Sequence, residues 1–156
     1  MTNISFDPND WLSITFRLGM ALVFGAIIGI ERQVGRKPAG LRTHMLVSLG
    51  SALLIMVPLQ IVGTAAGGDD AISRTIQGVA AGVGFIGAGE ILRESRPQTR
   101  LERVRGLTSA AAIWVSAGLG VAAGCGLWQM GLVGSLLALV VLTVFKRLEQ
   151  PRKSNG

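Results

Sequence analysis

The stretch GAIIGIERQVGRKPAGLRTHMLVSLG, residues 25–50, decides the fold. An apolar run stops in charge at Glu31 and Arg32, a Gly- and Pro-punctuated turn carries Arg36, Lys37 and Arg42, and a second apolar run starts at once. A soluble helical hairpin would alternate polar and apolar faces along both arms. Here both arms are apolar all round, and the charge is confined to the end they share. That pattern predicts two membrane-spanning helices joined on the basic side of a bilayer.

Working outward, composition sets the same bound. Of 156 residues, 49% are hydrophobic and only 15% charged, with 22 glycines and a mean hydropathy of +0.52. This is too apolar for a soluble domain of this size, so residues 1–156 read as one integral membrane domain. The formal charge of +6 and pI near 11.1 would suit nucleic acid. The basic residues lie in the turns between apolar runs, however, which points to the lipid bilayer as partner and excludes nucleic acid. A single Cys excludes a disulfide framework. Residues 1–9 lack the basic n-region of a signal peptide, so the first helix is expected to be retained.

Taken in order, the apolar runs predict an all-α membrane protein of five transmembrane helices, at about 11–30, 43–63, 75–92, 107–124 and 127–145. Each is close to the ~20 residues that cross a hydrocarbon core of ~30 Å. Residues 64–74 read as a turn, and Gly124-Cys125-Gly126 as a hinge. Thirteen of the fifteen Lys and Arg fall in the turn after helix one, the turn after helix three and the C-terminal tail. By the positive-inside rule the N-terminus is expected outside and the C-terminus in the cytoplasm, with Trp11 and Trp128 at the outer interface.

A faint parallel repeat is also legible. GAIIGIE at 25–31 matches GFIGAGE at 84–90, and AGLRT at 39–43 matches RGLTS at 105–109.

Four segments in this order and spacing, GAIIGIERQ, RKPAGLRTHMLVSLGSALL, GVAAGVGFIGAGEIL and VRGLTSAAAIWVSAGLG, closely resemble the MgtC/SapB family of bacterial inner-membrane proteins, over roughly residues 15–125. The resemblance implies a five-helix transmembrane domain, a role in growth under magnesium limitation and, in pathogens, survival inside host cells. It implies no settled biochemical activity. Longer members add a cytoplasmic domain, and this chain, which stops eleven residues after Phe145, resembles the short form. Glu90 is a departure, because an apolar or hydroxyl residue more usually follows the family's GAG motif.

The residues that could carry chemistry gather where four helix ends share one depth. Glu31, Arg42, Thr43, His44, Glu90, Arg105 and Thr108 form a candidate polar cluster there. A carboxylate within a membrane is costly unless paired, hydrated or protonated, which singles out Glu90. The N-termini of helices two and four suit an anion or a charge-compensated carboxylate pair. Glu31, Glu90 and His44 could instead hold a hydrated Mg²⁺. Against both stands a helix-end ion pair of Glu31 with Arg42, and a Glu90 that pairs with Arg93 or Arg105. Arg17, two turns inside helix one, is expected to pair with Asp69, Asp70 or lipid phosphate.

Gly82 to Gly87 satisfies GxGxxG, but without a preceding strand it is no dinucleotide fingerprint. The pairs Gly25/Gly29, Gly78/Gly82 and Gly120/Gly124 read better as helix-packing positions, within the bundle or between chains. No nucleophile stands beside a base, so no enzyme is expected. Two readings lead: an inner-membrane regulatory protein acting by contact with another membrane protein or by self-association, and a transporter or channel for Mg²⁺ or H⁺ using Glu31, Glu90 and His44.

Overall fold

A computed structural model describes residues 10–61, 68–94 and 106–145. Among them the chain is all helical. Helix α1 spans Trp11–Val34, α2 Leu41–Ile61, α3 Gly68–Glu94, α4 Leu107–Gly124 and α5 Trp128–Val140, with a π-helical continuation at Val141–Phe145. The first four are long and apolar enough to cross a membrane; the segment from Trp128 to Val144 is a shorter apolar helix.

Helix ends follow backbone chemistry rather than hydropathy, and this moves two expected boundaries. Helix α1 opens where the Asp10 carboxylate accepts from the Ser13 N–H at 3.1 Å. It runs past the end of the apolar run, keeping Glu31 and Arg32 helical, and stops only where Arg36 turns left-handed (φ 51°) ahead of Pro38. Helix α3 begins at Gly68, with Asp69 and Asp70 in its first turn. The expected turn over 64–74 is therefore corrected: residues 68–74 are helix, since two carboxylates at a helix N-terminus complement its dipole. In the π-helical continuation the Thr143 hydroxyl donates back to the Leu139 carbonyl of α5 at 2.7 Å, across the switch to the wider register.

Helix α4 is central and packs on each of the other four. Its inward face carries a stripe of small residues, Ser109, Ala112, Ser116, Gly120 and Ala123, flanked by the buried Ile113 and Leu119. With no hydrophobic drive between helices in lipid, such a face gains contact by letting backbones approach. A Cβ added at Gly124 would stand 2.8 Å from the Ala52 carbonyl oxygen of α2, and one at Gly120 would overlap the Ser48 carbonyl. Between α1 and α2, a Cβ at Gly25 would lie 2.6 Å from the His44 carbonyl and one at Gly29 2.7 Å from the Leu41 Cα. Gly78 and Gly82 differ, with nothing within 4 Å of where a Cβ would stand. They line an apolar groove of about 580 Å³ between α2 and α3, together with Leu46, Gly50, Leu54 and Ile86.

Candidate functional site

The buried positions of α1 are Arg17, Ala21, Phe24, Gly25, Ile28, Gly29 and Arg32, a single face at three- and four-residue steps. Two arginines lie on that face, one near each end of the bundle. Arg32 is 2% exposed, and its Nη2 donates to the Ser109 Oγ of α4 at 2.8 Å. Its Nη1 stands 3.5 Å from the Glu31 carboxylate. Its Nε is enclosed and has no hydrogen-bond partner.

His44, on the facing side of α2, is fully buried. Its Nδ1 lies 2.8 Å from the Gly40 carbonyl, which assigns the proton to Nδ1 and leaves Nε2 an enclosed acceptor without a partner. Arg32 and Glu31 both lie within electrostatic reach of the imidazole. One end of the bundle therefore concentrates a guanidinium, a carboxylate, an imidazole and a hydroxyl from α1, α2 and α4.

The other candidates do not share this burial. Arg42 and Thr108 are exposed and Thr43 is half-buried. Arg105 falls outside the described residues. Glu90 is half-buried on α3, with Oε1 enclosed and without a hydrogen bond. Among the described residues, no three of His, Cys, Asp and Glu converge as a metal ion would require.

At the opposite end the Arg17 Nη1 donates to the Gly124 carbonyl at 2.7 Å, and Nε reaches the Ser13 hydroxyl at 3.4 Å. A cation on the last carbonyls of α4 complements that helix's dipole. Asp69 and Asp70, the partners expected from the sequence, are exposed at the start of α3. Gly126 (φ 77°) lies against the guanidinium, and Cys125 beside it is half-buried. Burial pushes the Cys125 thiol above its ordinary range, an effect the Arg17 charge opposes.

Sequence reasoning missed Arg32 and Ser109 as members of the site. Their signal was present in helical phase: 17, 21, 24, 28 and 32 share one stripe of α1, and 109, 112, 116, 120 and 123 one stripe of α4. The uniform apolarity of both helices hid that stripe.

The sequence profile of the MgtC family matches residues 18–151. Protein SrpB of Synechococcus elongatus is 52% identical over 153 residues, covering 95% of this chain and 84% of its own length. YhiD of Escherichia coli, whose name proposes magnesium transport, is 43% identical over 85% of this chain and 60% of its own. Protein MgtC of Salmonella typhimurium is 35% identical over 83% of this chain and 51% of its own. The chain therefore spans most of SrpB but little more than half of YhiD and MgtC. No solved structure matches it.

Proposed function

The chain belongs to the MgtC family, and from that premise we propose that it is a multi-pass regulatory protein of the bacterial inner membrane, supporting adaptation to magnesium limitation, and virulence in a pathogen, by contact with another membrane protein. Its N-terminus lies outside and its C-terminus in the cytoplasm.

The observation that carries this reading is the outward face of α3. Elsewhere the exposed surface is bulky: Leu12, Phe16, Val23 and Ile30 on α1, and Leu132, Val133, Leu136 and Leu137 on α5. Lipid tails suit such side chains. On α3 the exposed Ile76, Phe85, Ile86 and Leu92 are interspersed with small residues, Gly78, Ala81, Gly82, Gly84, Ala88 and Gly89, and Gly78 and Gly82 line the groove beside α2. Small residues facing outward favour close approach of another helix over solvation by acyl chains.

A second reading, transport of Mg²⁺ or H⁺, is supported by the enclosed acceptors His44 Nε2 and Glu90 Oε1 and by the name of the relative YhiD. Liposomes containing the purified protein discriminate the two. Expected is no Mg²⁺ or proton flux, together with a specific partner cross-linked from Phe85→Cys, exposed on α3, in the native membrane. Flux abolished by Glu31→Gln or Glu90→Gln would reverse the ranking.

A further inference from the structure

Among the described residues, the N-cap of helix α4 supplies no side-chain cap. Its N-cap is Gly106, left-handed at φ 89°, which has no oxygen to offer, and the first backbone bond is from the Ala110 N–H to the Gly106 carbonyl at 2.8 Å. The N–H groups of the first turn therefore present partial positive charge at this end of the bundle. Onto that turn Arg32 lays a guanidinium that is 98% buried, held by Ser109. A cation at a helix N-terminus is electrostatically misplaced, and burial strengthens the repulsion. Glu31 compensates one edge, at Nη1. The Nε–H remains enclosed and unpartnered, a donor lacking its acceptor.

We infer that the first turn of α4 and Arg32 together bind a tetrahedral oxyanion of the phosphoryl class, presented by a lipid headgroup or as free phosphate. Its oxygens accept from the Arg32 Nε–H and from the α4 backbone N–H groups, and Thr108, exposed on that turn, offers its hydroxyl at the rim. Glu90 sets the sign of the test. Helix α3 meets α4 where Gly87 faces Ala110, which puts Glu90 one turn nearer the start of α4. Its carboxylate opposes an anion there and would favour a cation.

The test uses the full chain in phosphorus-free detergent, with the thermal unfolding midpoint and bound phosphorus as readouts. One arm titrates inorganic phosphate. The other adds phosphatidylglycerol to vesicles of a phosphorus-free galactolipid. Saturable stabilisation in either arm is expected, and the arm that responds identifies the source. Arg32→Gln should weaken it at least tenfold, Arg32→Lys by less, and Glu90→Gln should leave it equal or tighter, while the exposed Arg42→Gln changes it little. If Arg32→Gln fails to fold, Ser109→Ala keeps the charge, loses its anchor and should weaken binding severalfold. No saturable effect in either arm, equal binding by every arginine variant, or weakening by Glu90→Gln would overturn the assignment.

Discussion

Arg36 and Gly126 occupy the same position in the same helix-ending motif. At the end of α1 the Lys37 N–H reaches the Arg32 carbonyl at 2.9 Å and the Arg36 N–H reaches Gln33 at 3.0 Å; at the end of α4 Leu127 reaches Ala122 at 2.8 Å and Gly126 reaches Ala123 at 2.9 Å. Both motifs require a left-handed residue, which costs a side-chain-bearing residue about 1 kcal/mol. Arg36→Gly should therefore raise stability by about 1 kcal/mol in detergent unfolding, and unchanged stability would refute the strain. Gly126→Ala should lower it by at least as much, because the new Cβ would also stand 3.1 Å from the Arg17 Cζ. The neighbouring thiol gives a pH-dependent readout. Burial raises Cys125 and Arg17 opposes the rise, so the protonated thiol persists to a pH above that of a free cysteine. Maleimide labelling of the folded protein should accelerate only above that range. In Arg17→Met the onset should move higher still; an onset at lower pH would contradict the assigned influence.

At the scale of the element, the number of helices and the position of α4 were legible, because apolar runs broken by charged or Gly-rich turns are a signal of length and composition alone. Which face of each helix points inward was not. In α1 an aliphatic stripe and an aliphatic back look alike to a hydropathy profile, so the sequence alone points to Glu31 as readily as to Arg32, although only Arg32 shares the stripe of Phe24 and Ile28. The glycine pairs show the same limit. Gly120 and Gly82 are each one member of a small-xxx-small pair, yet one abuts the Ser48 backbone and the other faces open space. Gly120→Ala should cost about 1–3 kcal/mol in detergent unfolding, since a backbone carbonyl cannot step aside as a flexible side chain can. Gly82→Ala should leave the isolated protein as stable as before and weaken partner cross-linking in the membrane. Equal costs at both positions would mean that the two glycines share one environment.

For the molecule as a whole, Arg17 and Arg32 lie on one stripe of α1 and engage opposite ends of α4, at Gly124 and Ser109. The central helix is thus held at both termini by cations, favourably at its C-terminus and unfavourably at its N-terminus. That asymmetry makes the end bearing Arg32 the one suited to a ligand, and it is also the end where Arg36, Lys37 and Arg42 gather. If the charge bias sets orientation, this end faces the cytoplasm, while the end bearing Asp70 and Gln129 faces outward. In a Cys125→Ala background, Asp70→Cys and Gln129→Cys should react in intact cells with a maleimide that cannot cross the inner membrane, whereas Arg36→Cys and Arg42→Cys should react only after lysis. All four side chains are exposed, so burial does not mask the comparison. Labelling of positions 36 and 42 in intact cells would invert the topology and move the Arg32 site to the outer face. There a cytoplasmic phosphate could not reach it, and the ligand would be an outer-leaflet headgroup or phosphate from outside the inner membrane.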